Sequence, residues 1–151
     1  MPEQVFTTEA LWFTLPQPLV DSRLASAEDE EHDAQRLVGG SLHGAEHTLI
    51  AVLPLYAMCD RWDIGGLSTP RHPDTDGAQI FIYDGFPGGV GIAEKGFELL
   101  PELWSATLEL VQGCPCTDGC PSCVQSPKCG NFNHPLDKQA AILILRWLLG
   151  R

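Results

Sequence analysis

A chain of 151 residues with 44% hydrophobic side chains is long enough to bury one self-sufficient core. Its formal charge of −11 disfavours long-range attraction to a phosphate backbone, so work near nucleic acid would need a local basic patch or a basic partner. No apolar run approaches the roughly 20 residues that span a bilayer, which predicts a soluble, cytoplasmic chain with no membrane partner.

Gln4 to Leu15, with Val5-Phe6 and Leu11-Trp12-Phe13, reads as an extended segment closed by Pro16 and Pro18. Asp21 to Gln35 is polar and acidic, a helix or a mobile connection. From Leu42 to Cys59 the positions His47, Ile50, Ala51, Pro54, Leu55 and Met58 predict a helix kinked at Pro54. Asp63 to Pro73 reads as turns. Asp74-Thr75-Asp76-Gly77 then forms a hairpin tip that returns as the strand Ala78 to Asp84. After Phe86-Pro87-Gly88-Gly89-Val90-Gly91 a helix is expected from about Ile92 to Gln112, and Pro135 opens a last helix with Pro in its first turn. That last helix is apolar from Ala140 to Leu149 apart from Arg146, so it needs cover on nearly every face. It is either a central core helix or one whose outer side docks on another domain or a second copy.

Between these two helices five cysteines crowd into sixteen residues, Cys114-Pro-Cys116-Thr-Asp-Gly-Cys120-Pro-Ser-Cys123-Val-Gln-Ser-Pro-Lys-Cys129. A loop this rich in Pro and Gly is neither helix nor strand and lacks cohesion of its own. Four thiolates around one Zn²⁺ would supply it, because metal binding becomes folding free energy. Two quartets are possible. The one-residue gap between Cys114 and Cys116 is awkward, since successive side chains of an extended chain face opposite ways. The expected ligands are therefore Cys116, Cys120, Cys123 and Cys129, with Cys114 as neighbour or substitute. Disulfides, an iron–sulfur cluster and a Cys-Pro-Ser-Cys redox pair compete with zinc for these thiols. The absence of an apolar leader, the remote position of Cys59 and the flanking prolines favour zinc.

Three other motifs carry a chemical and a structural reading. Asp29-Glu30-Glu31-His32 spells the DExH box of ATP-driven motors, but no phosphate loop occurs in the chain, so it reads as a solvated acidic run. His43-Gly44-Ala45-Glu46-His47 matches the inverted zincin pattern, which places two histidines on one helix face beside a glutamate. A zinc hydrolase built on it would need a third ligand, for which Glu94, Glu98, Glu102 or Glu109 are candidates. Histidines facing a core or interface are the alternative. Gly88-Gly89-Val90-Gly91 follows a strand and precedes a helix. It suits either a phosphate cradle or, since it lacks a full fingerprint, a sharp turn.

Four stretches occur together and in order: His43 to His47, Cys59-Asp60-Arg61-Trp62-Asp63-Ile64-Gly65-Gly66, Tyr83 to Gly91, and Cys114 through Cys129-Gly130-Asn131. Over roughly Leu37 to Leu149 the chain resembles the C-terminal zinc-binding domain, once a domain of unknown function, of superfamily 2 DEAD/DEAH-box helicases of the mitomycin repair factor A type. The resemblance implies a structural Zn²⁺ on Cys116, Cys120, Cys123 and Cys129, helicase motor domains in cis, and DNA engaged through the full-length protein in DNA repair. It also lowers the weight of the zincin reading. Residues 1–36 are then an N-terminal extended segment and acidic connection, and 37–151 the zinc-binding, helicase-associated domain.

The expected fold is α+β, a small antiparallel sheet with three to four helices and a four-cysteine zinc knuckle before the C-terminal helix. The expected function is noncatalytic: the domain braces a motor or guides a DNA strand, and the chain alone has no activity. A hydrolase using His43, Glu46 and His47, or a thiol-redox or iron–sulfur module, stands as the alternative.

Overall fold

The computed structural model describes residues 3–15 and 31–151. Strands β1 (Ala10–Leu15), β2 (Ile64–Thr69) and β3 (Ala78–Asp84) form an antiparallel sheet in the order β1-β3-β2. Four helices exceed a single turn among the described residues: α1 (Glu31–Val52), α2 (Ile92–Glu98), α3 (Leu100–Gly113) and α4 (Lys138–Leu148). The cysteine-rich loop joins α3 to α4. This is the α+β arrangement that the sequence predicts.

The central strand owes its place to composition. Ala78, Ile80 and Ile82 are fully buried, and β3 pairs Leu11↔Ile82 and Phe13↔Ile80 on one side and Gly66↔Ile82 on the other. The N-terminal segment is thus part of the sheet. The most enclosed helix is α1: every residue from Ser41 to Ile50 is buried, between β2 and β3 on one side and α3 and α4 on the other. The last helix is a core helix on its inner side only. Ala140, Ala141, Ile144 and Leu145 are buried against α1 and α3, while Leu143 and Arg146 face outward.

Four boundaries differ from expectation, two for a tertiary reason and two for a local one. Helix α1 starts at Glu31 rather than Leu42, running through Gly39 and Gly40. Gly40 is small because the chain at Leu136 and Asp137 lies on it: a Cβ there would stand 3.1 Å from Asp137 N. Strand β2 occupies part of the stretch expected to be turns. Its Gly65-Gly66 pair reads as a break, yet the missing side chains admit the Tyr83 ring over Gly65 and Glu46 with Ile50 over Gly66. The helix expected from Ile92 to Gln112 is two helices, because Pro101 offers no N–H and starts a new first turn. Finally, Asp137 and not Pro135 sets the start of α4, its carboxylate accepting from Ala140 N at 2.8 Å.

Candidate metal centre

Four sulfurs converge where α3 meets α4. Cys114 Sγ lies 3.5 Å from both Cys116 Sγ and Cys120 Sγ, Cys116 Sγ lies 3.5 Å from Cys123 Sγ, and Cys120 Sγ lies 3.9 Å from Cys123 Sγ. A single tetrahedral zinc with bonds of about 2.3 Å sets its sulfurs about 3.8 Å apart. Disulfide sulfurs would touch at about 2.0 Å, whereas all six cysteines are free. A multi-iron cluster would interpose several atoms and hold its cysteines farther apart. The cage has the dimensions of one ion.

The backbone explains how Cys114 and Cys116 point the same way despite their one-residue gap. Alternation of faces belongs to extended strands, and here Lys138 Nζ gathers both carbonyls, donating to Cys114 O at 2.8 Å and Cys116 O at 2.5 Å. Beside this ammonium the two sulfurs come together, Cys114 Sγ next to Cys120 Sγ and Cys116 Sγ next to Cys123 Sγ. Cys120 and Cys123 sit on a knuckle closed by Cys123 N donating to Cys120 O at 3.0 Å. Gly119, at φ 115, supplies the left-handed bend before it. Lys138 also donates to Cys116 Sγ at 3.3 Å. Partial burial opposes the Cys116 thiolate, yet hydrogen bonds from Cys123, Cys114 and Lys138 outweigh it and bring the thiol down to about 6. Lys138→Met should therefore weaken zinc binding about 10- to 100-fold, the usual penalty for losing an outer-shell partner. Competition against a chromophoric chelator measures it; unchanged affinity would deny Lys138 this role.

Cys129, expected in this quartet, lies elsewhere. The turns from Ser126 to Asn133 carry it toward α1, where its Sγ is 3.4 Å from His43 Nε2 and accepts from Asn133 N at 3.4 Å. His43 and His47, one helical turn apart, meet edge to face with ring centroids 4.1 Å apart. Each uses its Nδ1 on a backbone carbonyl at 2.8 Å, Pro135 O for His43 and Val124 O for His47. Burial, then the neighbouring His43, push the His47 pKa down to about 4 against the pull of the Val124 carbonyl. Glu46 is buried beside them, and burial pushes its carboxyl up to about 7 against a hydrogen bond with Ser68. The glutamates considered as a third ligand, Glu94, Glu98, Glu102 and Glu109, are all exposed on α2 and α3 and join no ligand cluster; Cys129 occupies that place instead.

The glycine cluster resolves as a turn. Gly88, Gly89 and Gly91 have φ of 78, 76 and 88, and they wrap the loop so that backbone N–H groups aim at the Asp84 carboxylate. Val90 N donates to it at 2.6 Å, Ile92 N at 3.3 Å and Ala93 N at 2.7 Å. Asp84 is fully buried and already fills the position a phosphate would take. Lys128, another residue without a sequence signal, donates to Arg61 O at 2.9 Å and to Ile64 O, with its Nζ 5.4 Å from the Trp62 ring centre. It clips the cysteine loop to the start of β2. Of the DExH run, Asp29 and Glu30 lie outside the described residues.

This geometry has relatives. The family described as the MrfA Zn-binding domain matches residues 45–124. An uncharacterized protein of Methanocaldococcus jannaschii is 45% identical over 111 residues, covering 72% of this chain and 99% of the relative. The Bacillus subtilis ATP-dependent helicase YprA is 33% identical over 124 residues, covering 82% of this chain but 15% of the helicase. The crystal structure of the DUF1998 helicase MrfA bound to DNA superposes with a TM-score of 0.73 at 30% identity, over 98% of this chain and 18% of that one. The chain thus spans nearly all of the archaeal relative and a small part of each helicase. By sequence and by fold, it belongs to the MrfA Zn-binding domain family.

Proposed function

We propose that the chain is a noncatalytic accessory module of a DNA-repair helicase in which Cys114, Cys116, Cys120 and Cys123 hold one structural Zn²⁺. The convergence of those four sulfurs at single-ion spacing carries this reading. It favours Cys114 over Cys129 as the fourth ligand. An all-thiolate cage leaves no open position for water or substrate, so what the ion supplies is cohesion. It ties the C-terminal end of α3 to the N-terminal end of α4 through Lys138. A cytoplasmic location, where thiols stay reduced, suits such a site.

Bracing a motor fits the surface better than gripping DNA directly. The chain carries a net −11 charge, and Leu55, Met58 and Trp62 are 80%, 96% and 65% exposed, apolar contacts available to a protein neighbour. DNA would then be reached through the motor domains. A chimera tests this: the matching domain of MrfA is exchanged for this chain, and DNA-dependent ATP hydrolysis and unwinding are compared with a domain-deleted motor. Recovery of unwinding well above the deletion is expected. A folded, zinc-loaded chimera no better than the deletion would reject the accessory role. Tight binding of single-stranded DNA by the isolated chain would move the reading from bracing to strand guidance.

A further inference from the structure

We propose that His43 Nε2, His47 Nε2 and Cys129 Sγ form a second zinc site, separate from the tetrathiolate cage, whose fourth position opens onto a cleft. One ligand atom from each of these three residues lies within 4.8 Å of the others. Tetrahedral zinc with Zn–N of about 2.05 Å and Zn–S of about 2.3 Å sets nitrogen and sulfur about 3.6 Å apart, and His43 Nε2 stands 3.4 Å from Cys129 Sγ. Both histidines spend Nδ1–H on a backbone carbonyl at 2.8 Å, which directs both Nε2 lone pairs inward. This is the outer-shell arrangement that orients metal-binding imidazoles.

An imidazole nitrogen that lines a cleft can take its partner from water or an ion rather than from the protein. Here His47 Nε2 has no hydrogen-bond partner among the described residues, and His43 Nε2 meets only the Cys129 sulfur. Two imidazoles and a thiolate suit zinc better than magnesium or calcium, which prefer oxygen. The ligands line a cleft of about 810 Å³ that Glu46, Tyr83 and Lys128 also border. Three protein ligands facing open space leave room for a water or an exogenous donor at the fourth position, unlike the closed cage.

Elemental analysis of the purified, reduced chain tests the proposal, with zinc as the probe and a circular dichroism melt confirming the fold. Two zinc ions per wild-type chain are expected. Cys129→Ser should hold one, since it sits on a surface turn and leaves both histidine–carbonyl bonds in place. His43→Ala/His47→Ala should also hold one. Cobalt substitution should show these variants losing the mixed nitrogen–sulfur spectrum and keeping the tetrathiolate bands. One zinc per wild-type chain overturns the second site. Should that single ion vanish in Cys129→Ser, Cys129 belongs to the knuckle instead. Two ions in folded Cys129→Ser also overturn it. The tetrathiolate reading fails independently if Cys114→Ser keeps its full metal content.

Discussion

Cys123→Ala is expected to cost about 3–5 kcal/mol and lower Tm by roughly 10–15 °C, because losing a structural metal belongs to the largest class of single-residue effects. The loop has no regular backbone ladder of its own and is otherwise held by side-chain ties from Lys128, Lys138, His47 and Thr48. Between Cys114 and Asn133 the described backbone bonds are isolated turns, such as Cys123 N to Cys120 O and Cys129 N to Ser126 O. Cys123 is 2% exposed and its neighbour Val124 is fully buried in the main core, so an opened cage also uncovers apolar surface beside α1. Chelation of the wild type should reproduce the loss, and excess zinc should reverse it. A variant that kept both its zinc and its melting temperature would show that the ion does not organise this loop.

Asp84→Ala should destabilise by a similar amount, about 3–5 kcal/mol, since a buried N–H left unpaired costs about 1–3 kcal/mol. Three backbone donors depend on that carboxylate, those of Val90, Ile92 and Ala93. They start α2, whose Ala93 and Gly96 pack against the sheet; a Cβ on Gly96 would already press Leu11 Cδ2 at 2.6 Å. Asp84→Asn keeps one carbonyl oxygen and should lose less. Urea or thermal melts of both variants check the order. Equal stability of Asp84→Ala and wild type would mean that the loop re-pairs its N–H groups with water.

The elements that could be read from sequence are those whose signal is local. Strand β3 is legible because Ile80 and Ile82 alternate after the Asp-Gly turn signal, and the cysteine cluster is legible because its thiols lie at short spacing in one loop. The glycine cluster, left between cradle and turn by its sequence, is a turn around the Asp84 carboxylate. Where local signal misled, distant residues were responsible. Gly65-Gly66 looks like a break only until Tyr83, Glu46 and Ile50 fill the space above it. The ligand-like spacing of His43 and His47 was visible, but their proximity to Cys129, 86 positions away from His43, was not.

The order of strand and helix signals and the cysteine spacing by themselves predicted a small α+β domain with a thiol cluster ahead of its last helix. Ligand chemistry and turn propensity are properties of neighbours in the chain. Only the tertiary structure brings the Cys114 sulfur, rather than that of Cys129, beside those of Cys116, Cys120 and Cys123. Lys138, reaching back from α4, binds the carbonyls of Cys114 and Cys116, and the turn after Ser126 carries Cys129 to His43 of α1. Those choices rest on contacts between residues far apart in sequence, and spacing carries no record of them.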